Sequence, residues 1–341
     1  MKLLVTGHLG YIGAEMVPVL RAAGHEVVGL DTGLFDECDF MQAPDAVPTL
    51  RIDLRDVTAE QLKGFDAVIH LGALSNDPLG DLNPQVTYDI NLHASIRLAR
   101  AAKAAGVKRF LFSSSCSLYG AGADGYLDEN AAFNPVTPYG ESKIRVEREL
   151  KSLADDTFSP TYLRNTTAYG VSRRLRADIV VNSLVGHAVT TGKVLMQSDG
   201  TPWRPLVHIR DIILAFRCVL DAPRDIIHDQ AFNVGQTKEN YRIREVADLV
   251  AEVVPNCVVS FAQGATADAR NYRVDFSRIE TRLPGFTPAW TLRQGIEELY
   301  EAYRRAGLTS EQWSSPRYYR LPTIKGLLTR KLIDDQLRRI A

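Results

Sequence analysis

No apolar run in this chain approaches the ~20 residues that a bilayer-spanning helix needs, so no membrane segment is expected. Cysteine is scarce. Cys38, Cys116, Cys218 and Cys257 are scattered without metal-ligand spacing, so no metal is expected and reduced thiols in a cytoplasmic protein fit best. An excess of one charge is also missing: 40 Lys and Arg face 41 Asp and Glu, a formal net charge of -1 that gives nucleic acid no polyelectrolyte partner. The locally basic stretch after Arg317 reads as a solvated amphipathic end. There is no internal repeat or low-complexity tract, and no leader is expected because Met1-Lys2 runs straight into an apolar strand. What is present is 341 residues, 45% of them hydrophobic, enough for a large core and two subdomains.

Lys2 to Val5 reads as a buried parallel strand. It leads into Thr6-Gly7-His8-Leu9-Gly10-Tyr11-Ile12-Gly13 and then a helical pattern of Ala14, Met16, Val17, Val19, Leu20 and Ala23. A G-x-x-G-x-x-G turn between strand and helix lets backbone approach a pyrophosphate and aims the helix N-terminus at it. Gly24 closes the helix, and a second strand, His25 to Leu30, ends at Asp31. An acidic side chain about 20 residues past the turn can accept hydrogen bonds from an adenosine ribose and repels a 2′-phosphate, which favours NAD over NADP. Residues 34 to 50 read as a loop. Asp53 and Leu54 then mark the end of a third strand, where the adenine would lie. Ala67 to Ala73 is a fourth strand whose exit, Leu71-Gly72-Ala73, is small enough to pass beside a cofactor; His70 reads as a packed histidine. Asn91 to Ala105 is helical and stops at Gly106.

The chemistry-bearing stretch is Phe110 to Lys151. An apolar strand ends in Ser113, Ser114 and Ser115, and about twenty residues later a helix carries Tyr139 and Lys143 four apart, on one face. A phenol with a pKa of about 10 is a poor base near neutrality. A nearby ammonium, and a cationic nicotinamide ring, pull that value down. Ser115 can donate to the substrate oxygen that Tyr139 deprotonates. This set removes a proton from an alcohol while a cofactor takes the hydride. Cys116 has no histidine beside it in sequence and reads as a small packed residue rather than a nucleophile.

Strand and helix alternate up to about residue 165, which predicts an α/β, doubly wound parallel sheet. Gly7, Asp31, Asp53, Gly72 and Ser115 all fall at the carboxyl ends of its strands, where such sheets bind ligands. Beyond residue 166 the pattern is less regular. A strand over Thr161 to Asn165 is followed by the basic segment Arg173-Arg174-Leu175-Arg176 and an amphipathic stretch, Ile179 to Thr191. Val194 to Gln197 and Trp203 to Ile209 then read as hairpin-like. Asp211 to Leu220 and Arg244 to Val253 are expected helices, Ala231 to Gly235 a strand, and Leu292 to Ala306 a last amphipathic helix.

Taken together, these motifs resemble the extended short-chain dehydrogenase/reductase family of NAD-dependent sugar-nucleotide epimerases and dehydratases. The likeness rests on the glycine turn, the acidic residue after strand two and the serine stretch ending in Tyr119-Gly120. It extends through Pro138-Tyr139-Gly140-Glu141-Ser142-Lys143 and Arg204…Val207-His208-Ile209-Arg210-Asp211. The resemblance implies a Rossmann-type domain, residues 1–166 with 207–236, and a smaller α/β nucleotide-sugar domain, residues 167–206 with 237–306. A C-terminal extension, 307–341, exceeds the family's usual end. It further implies that Tyr139 is the base, that Lys143 holds the nicotinamide ribose, and that Ser115 binds the reacting sugar oxygen. Expected cofactor contacts are Gly7, Leu9, Gly10, Tyr11, Ile12, Gly13, Asp31, Asp53, Leu54, Leu71, Gly72, Ala73, Asn91, Ser113, Tyr139 and Lys143. Expected contacts to a nucleoside diphosphate sugar are Ser75, Ser115, Cys116, Ser117, Asn165, Thr167, Asn182, Arg204 and Arg270. Arginine suits a diphosphate through its paired donors.

The family's 4,6-dehydratases carry Thr-Asp-Glu where this chain has Ser115-Cys116-Ser117, so the acid–base pair for eliminating water is missing. The resemblance therefore implies an epimerase acting at C4 through a 4-keto sugar, with a ketoreductase or dehydrogenase as the alternative and a non-catalytic NAD-binding protein as a more distant one. Thr167 stands where the family commonly has Asn, Ala265 replaces an arginine near the uridine site, and Arg270 occupies a phosphate-binding position. A homodimer pairing the helices near 92–105 and 139–153 is expected by the same likeness.

Overall fold

The computed structural model describes residues 1–266 and 271–340. Its central sheet contains β1 (Lys2–Thr6), β2 (Glu26–Leu30), β3 (Thr49–Leu50), β4 (Ala67–His70), β5 (Arg109–Ser115), β6 (Ser159–Asn165) and β7 (Gln230–Val234). They lie in the order 3-2-1-4-5-6-7, every pair parallel. The inner strands are apolar on both faces because helices cover both. Leu3 and Val5 pack with Met16 and Leu20 on one side; Leu4 and Val68 pack with Leu98, Phe110 and Leu150 on the other. The order of strands reverses between β1 and β4, and that switch point opens a crevice at the strands' carboxyl ends.

The second region has its own small sheets. Trp203–His208 pairs in parallel with Thr167–Tyr169 and antiparallel with Asn240–Arg242. Lys193–Ser198 pairs instead with Val258–Thr266, in parallel. The hairpin expected between Val194 to Gln197 and Trp203 to Ile209 therefore does not form. Each strand takes a distant partner because Val194 and Met196 sink into a core with Val246, Val250 and Leu299. Local alternation of apolar residues cannot report such a choice.

The C-terminal segment is not a solvated end. Trp313, Tyr318 and Arg320 are buried, and the helix Arg320–Thr329 lays Ile324 and Leu327 against Leu74, Leu79 and Val86. Ile333 and Leu337 extend the same cluster. The basic residues lie beside this apolar stripe and make discrete contacts: Arg338 pairs with Asp56 at 2.6 Å, and Arg330 with Glu37 at 3.0 Å. Among the described residues no helix is long and apolar enough to cross a membrane.

His70 ties the sheet to its covering helix. Its Nδ1 and Nε2 lie 2.7 Å from Thr6 Oγ1 and 2.8 Å from Ser95 Oγ, and burial, with a smaller push from Lys143, lowers its pKa to about 3. A histidine held neutral below its unfolded pKa loses stability as pH falls through about 6.5, at close to 1.4 kcal/mol per pH unit. Urea unfolding should therefore show a decline below pH 6.5 that His70→Gln flattens; identical pH slopes in the two proteins would contradict this.

Candidate active site

The site forms where β5 meets the helix Pro138–Leu153. Thr137 caps that helix, its Oγ1 accepting from Gly140 N at 3.2 Å, and Pro138 sits at the first turn, where its missing N–H costs nothing. Lys143, Ile144, Val146, Glu147 and Leu150 form the buried face. A Cβ on Gly140 would lie only 3.0 Å from the Ser117 carbonyl, so glycine lets the helix close onto the serine turn.

That approach brings the Tyr139 side chain beside Ser115, whose hydroxyl acts to lower the phenol's pKa. Ser115 Oγ also donates to Ser117 Oγ at 3.0 Å. Lys143 Nζ donates to the Ser113 carbonyl at 2.7 Å and stands 5.5 Å from the centre of the Tyr139 ring. Burial raises the Tyr139 pKa to about 12, against the opposing effect of the Ser115 hydroxyl. Burial also lowers Lys143 to about 7, with Glu147 pulling the other way. The fall in the phenol's pKa expected from sequence is thus not supplied by the protein surroundings. The phenol in this setting holds its proton, and ionising it requires added positive charge.

These groups line a cavity of about 850 Å³ that runs from the glycine turn to the second region. Gly7, Gly10, Tyr11, Ile12 and Gly13 form one wall. Gly7 has φ of +69°, and a Cβ there would strike the Gly72 backbone at 2.8 Å, so the two chain passages touch and leave a backbone-lined cradle. Asp31, Asp53 and Leu54 lie on the wall, as do Leu71, Gly72, Ala73 and Ser113. Asp31 accepts from Gly33 N at 2.8 Å and Leu9 N at 3.2 Å. Asp53 is held by Arg55 at 2.7 Å; burial tends to raise its pKa, but the Arg55 contacts together keep it low. On the other side stand Ser75, Ser117, Asn165, Thr167 and Arg204.

Four expected contacts are not on the cavity wall. Leu9 has its N–H turned to Asp31. Asn91 is buried, donating to the Leu74 carbonyl at 3.0 Å and accepting from Leu74 N at 2.8 Å, so it shapes the loop rather than touching a ligand. Cys116 is fully buried; its Sγ donates to the Arg164 carbonyl and burial pushes the thiol well up, which also removes it as a nucleophile. Asn182 spends its amide on Arg176 O, Gly170 O and the Tyr11 hydroxyl, and accepts from Gly170 N. Arg270 lies outside the described residues.

Sequence reasoning missed two parts of the wall. Arg176 is buried and chelates Asp178 at 2.9 and 3.1 Å, while its Nη1 donates to Ser75 Oγ at 3.2 Å. Its charge acts to lower the Tyr139 pKa. The Arg-x-Asp spacing in the basic segment was the available signal. The C-terminal segment contributes Tyr319, Arg320 and Leu337, for which no sequence signal existed.

Tyr139→Phe should lower turnover by about 10²–10⁴-fold, the usual worth of a positioned acid–base group, with NAD affinity within twofold of the parent. Lys143→Met should move the acid limb of the kcat/KM profile to higher pH, since it removes positive charge near the phenolate. Unchanged turnover in the first or an unmoved limb in the second would remove that residue from the chemistry.

A model of the NAD dependent epimerase/dehydratase family matches residues 3–235. The chain is 28% identical to a UDP-glucose 4-epimerase of Mycolicibacterium smegmatis over 317 residues, 89% of this chain and 99% of that one. It is 31% identical to the UDP-glucose 4-epimerase of Lactobacillus helveticus over 278 residues, covering 74% and 82% of the two chains. Among solved structures, MoeE5 in complex with UDP-glucuronic acid and NAD superposes with a TM-score of 0.78 at 30% identity, covering 90% of this chain and all of that one. A match across most of the chain, on a seven-stranded sheet whose glycine cradle and tyrosine line one cavity, shows that this protein belongs to the NAD-dependent epimerase/dehydratase family.

Proposed function

We propose that this protein is an NAD-dependent epimerase of a nucleoside diphosphate sugar, inverting C4 through a transient 4-keto intermediate. The observation that carries the reading is the meeting of Ser115, Tyr139 and Lys143 on one wall at the end of β5, with no carboxylate at position 116 or 117. An elimination would need that acid and base. Inversion needs only a proton acceptor, a donor to the sugar oxygen and room for the ketone to turn.

The residues suit NAD. The Gly7 cradle has no side chain where a pyrophosphate would rest, and Asp31 stands at the end of β2 to accept from ribose hydroxyls. Bound there, NAD supplies the hydride acceptor and donor for C4. Ser115 and Tyr139 would grip the C4 oxygen together. Tyr139 takes its proton as the ketone forms and returns it when the alcohol is restored, and Lys143 favours the phenolate in between. Thr167, Asn165 and Arg204 would orient the nucleotide sugar from the opposite wall. Arg176 adds positive potential on the same side as Tyr139.

We further read the protein as a cytoplasmic homodimer. Support for the compartment comes from its free thiols, and for the dimer from the outer faces of the helices over 92–105 and 139–153, which together present Ile96, Arg97, Arg100, Arg145 and Arg148. Light scattering should return about twice the chain mass; a monomer would refute it.

Incubation with UDP-glucose or UDP-glucuronic acid, followed by proton NMR, should yield the C4-inverted sugar nucleotide with no net absorbance at 340 nm. Stoichiometric NADH without an inverted product would replace this reading with an oxidoreductase.

A further inference from the structure

Arg320 is buried to 2% exposure in the C-terminal segment and lies on the cavity wall. Its guanidinium sits 4.3 Å over the Phe35 ring, and Nη2 donates to the Arg174 carbonyl at 3.0 Å. Nη1 has no hydrogen-bond partner. Among the described residues no carboxylate lies within ion-pair distance of it, although its neighbours are paired: Arg174 with Asp39 at 2.9 Å, Arg176 with Asp178 at 2.9 Å. Asp178, whose charge acts on Arg320, is also taken by Asn76 at 2.8 Å.

A buried, uncompensated guanidinium is costly, and ordinary packing would replace it with an apolar side chain or give it a carboxylate. Burial, then the charge of Arg176, pull its pKa down to about 10, so it stays a cation at neutral pH. Arg320 lines the same cavity as Arg176, whose own charge acts on Tyr139. An anion delivered from the cavity would complete both the empty donor and the charge balance.

We propose that Arg320 Nη1 is a substrate-binding donor, carried by the C-terminal segment, that takes an anionic oxygen of the nucleotide sugar held against Tyr139. The oxygen belongs to the diphosphate or to a carboxylate on the sugar; a guanidinium recognises both alike. This rests on the nucleotide-sugar reading above. It makes the segment part of the substrate site rather than a brace outside it.

The test uses the full-length, NAD-loaded protein in a Tyr139→Phe background, so that ligands are bound but not turned over. UDP-glucose and UDP-glucuronic acid are titrated calorimetrically with Arg320 intact and with Arg320→Gln. Loss of one charge-assisted bond should weaken binding about tenfold or more. A loss for both ligands assigns the diphosphate, and a loss confined to UDP-glucuronic acid assigns the carboxylate; each supports the proposal. Unchanged affinity for both overturns it. Should Arg320→Gln lack a melting transition, Arg320→Lys decides. It keeps the charge but not the forked donors, and several-fold weaker binding supports the proposal while parental affinity overturns it. If the protein with Arg320 intact binds neither nucleotide, the functional reading itself fails and the proposal falls with it.

Discussion

Three successive turns of one helix are keyed to three successive serines of one strand. Tyr139 stands beside Ser115, Lys143 Nζ reaches the Ser113 carbonyl at 2.7 Å, and Glu147 accepts from Ser114 Oγ at 2.6 Å. The spacing of four along the helix keeps these side chains on one face. The last contact is itself anchored, because Glu147 forms a buried ion pair with Arg164 on β6 at 2.7 Å. Arg164 continues to the Tyr119 hydroxyl at 3.1 Å, and that hydroxyl donates to Asn233 on β7 at 2.8 Å. Breaking such a fully buried pair by removing one partner leaves a bare charge in the core. The rotation of the helix, and with it the aim of the phenol, is therefore set by a network extending to the edge of the sheet.

That arrangement explains a division of labour in the electrostatics. The protein buries both the phenol and the ammonium, and burial alone drives Tyr139 towards its neutral form and Lys143 towards its own. Neither value suits proton abstraction by itself. In the proposed reaction, positive charge beside the phenol would come from bound NAD together with Lys143 and Arg176. A tyrosine that ionises only when the cavity is filled would not act as a base on an empty site.

The parallel sheet was legible because its strands are short apolar runs separated by helical patterns, and the glycine turn and Tyr139/Lys143 spacing lie in contiguous sequence. The errors share one cause. Asn91, Asn182 and Cys116 sit in motif positions, yet each is satisfied by buried backbone or packed among neighbours, which only the folded chain reveals. The strands Lys193–Ser198 and Trp203–His208 failed as a hairpin because each is completed by a partner more than thirty residues away. Arg320 was hidden for a further reason: its segment docks through Ile324 and Leu327, an apolar stripe too short to stand out within a basic tail.

In the proposed reaction one hydrogen leaves C4 of the sugar as hydride and comes back to the opposite face while Tyr139 carries the proton. UDP-glucose bearing deuterium at C4 tests it directly. The expected result is an inverted product that keeps the deuterium at C4, formed more slowly when C–H cleavage limits turnover. An inverted product whose C4 hydrogen has come from solvent would contradict it.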